Sequence, residues 1–338
     1  MFRGARRRNT MKSVRRLAAL AAAAGAALAT AAGVATAAPA SASGPQLAAA
    51  PDPVLASPYL YQWAGQTSAS AAMSATGIKT FTLAFMLSDG SCNPKWDGDR
   101  SLTGSDKTLI TSIRDAGGDV IPSFGGWSGT KLGAKCSSAS ALAGAYQKVI
   151  DAYALKAIDL DIENTDEFEN ATVQDRILNA VKITKQKNPG VRVVITIGTE
   201  TTGPNDWGKR LIKQAKAIGA PVDVWSVMPF DFSSGGDMAG KTKSAVDGLV
   251  SQLKSTFGWD SATAYRHAGL SSMNGKTDNA GEVVSVSDFT AIRDYATSHH
   301  LGRFTFWATN RDCSGGGECS GISQPKYAFT KIVAGYHG

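Results

Sequence analysis

The chain has 338 residues, 43% hydrophobic and 19% charged, with 36 Gly, which excludes a disordered or collagen-like chain and suffices for one large core. Its formal charge of +7 comes from Met1 to Arg16, where Arg3, Arg6, Arg7, Arg8, Lys12, Arg15 and Arg16 meet no acid; the remainder carries 28 basic and 28 acidic residues. That balance removes any electrostatic reason to seek nucleic acid or an anionic membrane.

The basic start runs into an Ala-rich apolar stretch, Leu17 to Ala40, ending in Ala40-Ser41-Ala42, so residues 1–42 read as an export signal peptide. A membrane anchor fits less well, because Ala and Gly are weak residues for a span. Arg15-Arg16 allows either the general or the twin-arginine route. Residues 43–57, rich in Ala and Pro without apolar periodicity, read as a linker, and residues 58–338 as one catalytic domain. The mature protein is expected to be secreted and monomeric.

From there a short apolar run, a polar loop and a longer helical pattern recur. Strands are predicted at Tyr59–Trp63, Thr80–Met86, Val120–Gly126, Ala157–Glu163, Arg192–Gly198, Val222–Phe230, His267–Met273 and Arg303–Ala308. Helical patterns lie between them. Thr67–Thr76 is the first; Leu142, Tyr146, Val149 and Ile150 mark another, and Ile177, Leu178 and Val181 the next. Val246, Leu249, Val250 and Leu253 follow helical spacing, and Ser287-Asp288 reads as the cap of a helix carrying Phe289, Ile292 and Tyr295. Eight strands alternating with helices over about 280 residues predict an α/β fold, a (β/α)8 TIM barrel.

Cys92, Cys136, Cys313 and Cys319 form an even set in an exported chain, which favours two disulfides over metal binding. Three connectivities are possible. Cys313 with Cys319 is preferred because Ser-Gly-Gly-Gly-Glu between them is a flexible loop, leaving Cys92 with Cys136. A zinc site is disfavoured, since none of the four His stands at ligand spacing to a Cys.

The fourth predicted strand carries the chemistry. Asp159, Asp161 and Glu163 alternate with Ile158, Leu160 and Ile162, so three acids line one face while the other is covered. Clustered carboxylates on a covered strand raise one another's pKa, the arrangement acid catalysis on a glycosidic bond requires. A calcium loop would be richer in Gly and Asn. In a barrel of this kind catalytic groups stand at the C-terminal strand ends, where Glu163 falls just before Asn164-Thr165-Asp166. On the third strand Ser123, Gly125 and Trp127 share a face, with Ser123 able to donate to a carboxylate and the glycines leaving room for sugar. Met228 and Phe230 share the inward face of the sixth strand with Asp231 at its rim, while Trp225 points to packing. Trp307 offers an aromatic plane to a pyranose, with Trp63, Trp127 and Trp207 as lesser candidates; Glu200 reads as a solvated loop acid.

These residues resemble glycoside hydrolase family 18. Asp159-Leu160-Asp161-Ile162-Glu163 is similar to its Asp-x-x-Asp-x-Asp-x-Glu signature, Ser123-Phe124-Gly125-Gly126 to its Ser-x-Gly-Gly, Met228-Pro229-Phe230-Asp231 to its Met-x-Tyr-Asp, and Trp307 stands where the family keeps a Trp. The resemblance covers the whole barrel and is greatest to compact bacterial and archaeal chitinases. It implies hydrolysis of β-1,4-linked N-acetylglucosamine with retention, the substrate's acetamide acting as nucleophile and neither metal nor organic cofactor taking part. Glu163 would be acid and then base, Asp161 the acetamide clamp, Asp159 a deeper partner sharing a proton with Asp161, and Asp231 an acetamide orienter. Ser123, Gly125, Gly126, Met228, Phe230, Trp127 and Trp307 would surround the sugar. Cleavage of N-glycan cores, or sugar binding without catalysis, are the alternatives. Lys156 replaces the first acid of the signature and Phe230 its tyrosine.

Overall fold

The computed structural model describes residues 52–63 and 68–338. The expected signal peptide and most of the expected linker lie outside the described residues. From Asp52 onward the expected linker takes part in the barrel, because Val54 and Ser57 are wholly buried within it.

Among the described residues the strands are β1 (Tyr59–Tyr61), β2 (Thr80–Ser88), β3 (Pro94–Trp96), β4 (Asp119–Gly125), β5 (Ala157–Ile162), β6 (Arg192–Gly198), β7 (Val224–Met228), β8 (Ala268–Met273), β9 (Gly275–Lys276), β10 (Val283–Val284) and β11 (Arg303–Trp307). The helices are α1 (Ala69–Thr76), α2 (Ser105–Asp115), α3 (Leu132–Lys135), α4 (Ala139–Tyr153), α5 (Ala171–Lys187), α6 (Asp206–Ile218), α7 (Met238–Phe257), α8 (Ser261–Arg266), α9 (Val286–His299) and α10 (Ala328–Ala334). The parallel strands neighbour one another in the order β1-β2-β4-β5-β6-β7-β8-β11, the succession of a (β/α)8 barrel. All eight expected strands are present. The short β3 pairs antiparallel with β2 beyond the barrel, and β9 with β10 make a separate two-stranded ribbon; neither was expected.

The seam between the first and last barrel strands is closed by individual bonds. Phe304 N–H donates to the Leu55 carbonyl (2.9 Å), Thr305 Oγ1 to the Ser57 carbonyl (2.7 Å), and the Asn310 amide both accepts from and donates to the Tyr61 backbone at 2.9 Å.

Alternation in β5 sets the layering. Ile158, Leu160 and Ile162 are at most 1% exposed and join the core shared with the helices, where Leu142, Tyr146, Val149 and Ile150 of α4 and Ile177, Leu178 and Val181 of α5 are also buried. Burying each such side chain contributes about 1.5–3 kcal/mol. Inside the barrel, Val54, Ile121, Ala157, Val194 and Val224 form a small apolar plug. One layer higher the inward residues are polar, and Asp159 stands opposite Ser123 of β4 while Asp161 stands opposite Thr196 of β6.

α9 begins earlier than Ser287-Asp288 predicted. Ser285 is the N-cap, accepting from Asp288 N–H while the Asp288 side chain accepts from Ser285 N–H, a reciprocal box that gains part of a turn over a cap at Ser287. Trp225 is fully buried, as packing requires. Lys156 pairs with Asp119 (3.0 Å), which Arg114 also holds at 2.9 Å, so the cation at the foot of β5 is an outer structural contact. Cys92–Cys136 and Cys313–Cys319 are the two disulfides, the preferred pairing.

Candidate active site

The three acids of β5 and its end occupy three different environments. Asp159 is fully buried and receives three hydroxyls: Tyr59 OH (2.8 Å) and Ser123 Oγ (2.6 Å) at Oδ2, and Thr196 Oγ1 (2.7 Å) at Oδ1. These come from β1, β4 and β6, the strand itself having supplied only the acid. Both oxygens of Asp159 are thus held by hydroxyls, and its charge acts on Asp161, two residues further along the same face of β5.

Asp161 is 3% exposed and its Oδ1 has no partner. Desolvation by burial, with the nearby charges of Glu163 and Asp159, raises its pKa well above the ordinary carboxylate value. Glu163 stands at the strand mouth with its pKa raised to about 7, first by burial, against the lowering effect of Lys131, and with Asp231 adding to the rise. A carboxyl titrating near neutrality can give and take a proton at ordinary pH.

The loop geometry next to Glu163 is held tightly. Asn164 has φ +65°, a left-handed conformation Asn tolerates better than most residues, and its side-chain amide donates to the Trp127 carbonyl. Gly125 (φ +114°) runs so close to β5 that an added Cβ would lie 2.1 Å from the Asp161 carbonyl, and Gly126 (φ +84°) donates its N–H to that same carbonyl at 2.9 Å. A Cβ on Gly126 would meet the Phe85 ring at 2.6 Å. The two glycines therefore make room for Asp161 and Phe85, and Ser123, wholly buried, faces Asp159.

A cleft of about 590 Å³ opens above the barrel, lined among others by Asp161, Glu163, Trp127, Phe230, Asp231 and Trp307. Met228, the last residue of β7, is also in its wall, as are Tyr59, Phe85 and Met273. Phe230 lies beyond the end of β7 rather than on its inward face, Asp231 follows it at the rim, and both reach the cleft. Phe85 and Trp307 stack with centroids 5.5 Å apart and planes 7° off parallel, and Trp307 stacks on Tyr61, which stacks on Trp63. Trp63 and Trp127 are 52% and 70% exposed, large aromatic faces left to solvent at the rim. Trp207 and Glu200 do not line this cleft.

Several site residues escaped sequence reasoning. Tyr59, Thr196 and Phe85 reach the site from distant strands. Glu167, in the π-helical turn Asn164–Phe168, is 4% exposed, accepts Gly133 N–H at 2.9 Å, and is raised to about 8, chiefly by burial. Lys131, 1% exposed, donates to the Ser128 carbonyl (2.6 Å), and burial lowers its pKa against the pull of Glu167, Asp166, Glu163 and Asp161. In a run as polar as Asn164-Thr165-Asp166-Glu167, nothing marks the last acid as buried; its one signal is the Phe168 that follows. Among the described residues no His, Cys, Asp and Glu cluster suits a metal ion.

No protein-family model matches the chain. It is 32% identical over 281 residues to the probable bifunctional chitinase/lysozyme of Escherichia coli (strain K12), spanning 76% of this chain and 31% of that protein. It is 30% identical over 249 residues to Endochitinase 11 of Metarhizium anisopliae, spanning 70% of this chain and 48% of that protein. The chain thus spans less than half the length of either curated relative. Among solved structures, the catalytic domain of the hyperthermophilic chitinase from Pyrococcus furiosus superposes with a TM-score of 0.77 at 26% identity, over 85% of this chain and 95% of that one. A GH18 chitinase from Pseudoalteromonas aurantia shares the fold, with a TM-score of 0.52 over 75% of this chain and 93% of that one. In the sequence of its barrel and in its fold the chain is thus similar to proteins named as chitinases.

Proposed function

We propose that the protein hydrolyses β-1,4 linkages in chitin or N-acetylglucosamine oligomers with retention of configuration, using the substrate's own acetamide as nucleophile. The observation that carries this reading is the pairing of Glu163, raised to about 7 at the cleft, with a buried Asp161 whose Oδ1 is unpartnered beside it. A protonated Glu163 can donate to the glycosidic oxygen as the bond to the anomeric carbon breaks. The acetamide oxygen closes onto that carbon, forming an oxazolinium ion, while Asp161 Oδ1 accepts the acetamide N–H and balances the developing charge. Glu163, now a carboxylate, takes a proton from water as the water oxygen attacks the same carbon, reopening the ring and restoring the acid. Asp231 orients the acetamide from the opposite wall, and Trp307 and Phe85 offer stacked planes for the pyranose.

The relatives named as chitinases support the substrate class, and the two disulfides suit secretion into an oxidising compartment after removal of a signal peptide. The test is a time-resolved product profile on defined N-acetylglucosamine oligomers, with an N-glycoprotein and peptidoglycan as competing substrates. Early β-anomers in proton NMR are expected from the oligomers; α-anomers would exclude acetamide participation. Release of an N-glycan with no cleavage of the oligomers would move the substrate to glycan cores.

A further inference from the structure

Asp231 stands alone on a loop end, with φ +57° and an exposed side chain, and nothing in β7 fixes it. Its main chain is held by a residue 51 positions away. Glu282, 1% exposed, accepts Asp231 N–H at Oε1 (2.6 Å) and Phe232 N–H at Oε2 (2.9 Å). The Asp231 carboxylate in turn accepts the N–H groups of Asp278 (3.0 Å) and Asn279 (3.2 Å), both lining the cleft. Glu282 closes that turn through its own backbone: Thr277 N–H donates to the Glu282 carbonyl (3.1 Å), and Glu282 N–H to the Asn279 carbonyl (3.2 Å). The two loops run so close that a Cβ on Gly235 would lie 2.1 Å from the Gly281 carbonyl.

Among the described residues Glu282 has no cation in salt-bridge range. A buried carboxylate is costly to keep unless its hydrogen bonds do something a neutral side chain could not. Here both oxygens are spent on adjacent backbone donors, the bidentate grip that charge-assisted bonding strengthens. Gln would retain one acceptor and turn an NH2 group toward the other N–H.

We propose that Glu282 is the positioning residue for Asp231: a buried carboxylate clamp that holds the β7 loop against the β8 loop and so fixes the Asp231 carboxylate over the cleft. The role rests on the reading of Asp231 as the acetamide orienter. It touches no substrate itself, and its effect falls on turnover, since the acetamide reacts rather than merely binds.

Two measurements test it, on Glu282→Gln, on Glu282→Asp and on both parents, wild type and Asp231→Ala. In amide hydrogen exchange, Glu282→Gln is expected to speed exchange at least about tenfold at Asp231 and Phe232, and also at Asp278 and Asn279, with helices unaffected. On N-acetylglucosamine oligomers, kcat is expected to fall about 10- to 100-fold with KM changed less than about threefold. Glu282→Asp should recover part of that loss. In the Asp231→Ala background Glu282→Gln should cost less than about twofold more. Unchanged exchange at the four amides, or the full loss of kcat recurring without Asp231, would overturn the clamp, as would a lowered melting temperature with unchanged kcat. A wild type inert toward the oligomers would count against the functional reading, and the exchange data would still uphold or overturn the clamp.

Discussion

Replacing Glu167 by Gln should make the protein more stable at high pH and leave it nearly unchanged at low pH. Glu167 is 4% exposed and is lifted from an ordinary 4.5 to about 8, chiefly by desolvation, with Lys131 opposing. The native state therefore holds a proton that the unfolded chain releases from about pH 4.5 upward. Between those values the folded form binds more protons than the unfolded one, so stability falls as pH rises. At about 1.4 kcal/mol per pH unit over that window, the ionisation costs on the order of 4–5 kcal/mol by pH 8–9. Gln keeps the acceptor for Gly133 N–H, lies in the same space, and does not titrate. Denaturant unfolding of both proteins at pH 5 and pH 9 should give values within about 1 kcal/mol of each other at the lower pH. At the higher pH the variant should be more stable by several kcal/mol, about 2–4 °C in melting temperature for each. Parallel curves for the two proteins across that range would refute the assignment of a buried, neutral Glu167.

The other predictions concern activity and cross-links. Glu163→Gln should lower kcat on N-acetylglucosamine oligomers by about 10²–10⁴-fold while binding of the oligomers, read by calorimetry, persists. Activity in the wild type should decline as pH rises through about 7, where Glu163 loses the proton it must donate. Lys131→Met, which removes a cation that lowers the Glu163 pKa, should move that alkaline limb to higher pH; Asp231→Asn, which removes a neighbouring negative charge, should move it lower. Loss of the Cys92–Cys136 cross-link, 44 residues apart, should cost about 4 kcal/mol, against about 2 for Cys313–Cys319, 6 apart, in chemical denaturation.

The barrel was legible because its strands are short, apolar and regularly spaced, and because β5 alternates without a break. A period of two assigns each acid to a face, so the inward set Asp159, Asp161 and Glu163 needed no tertiary information. Strand ends were less legible. The sequence pattern carries Phe230 on the inward face of a strand that stops at Met228, since Pro229 cannot continue the hydrogen-bond ladder. The cap of α9 was misplaced by two residues for a related reason: Ser285 and Ser287 are chemically alike, and only the position of Asp288 as the third helical residue distinguishes them.

Apart from a Ser123 hydroxyl able to reach a carboxylate, what stayed hidden is what crosses the barrel. Tyr59 lies 100 residues from Asp159, Thr196 lies 37 away and Ser123 36, yet their hydroxyls converge on one carboxylate. Side-chain period tells which way a residue faces but not which residues meet at one height, and that height is set by the register between strands. The pairing of Ser123 with Asp159 and of Asp161 with Thr196 fixes it. The same register explains the glycines of the third strand. Read as open space for a sugar, they instead let β4 pass within contact distance of the Asp161 carbonyl, and a side chain at Gly125 would displace the backbone carrying the acid beside Glu163. The chemistry at the mouth thus depends on a close approach of the neighbouring strand, which the strand carrying the acids does not itself encode.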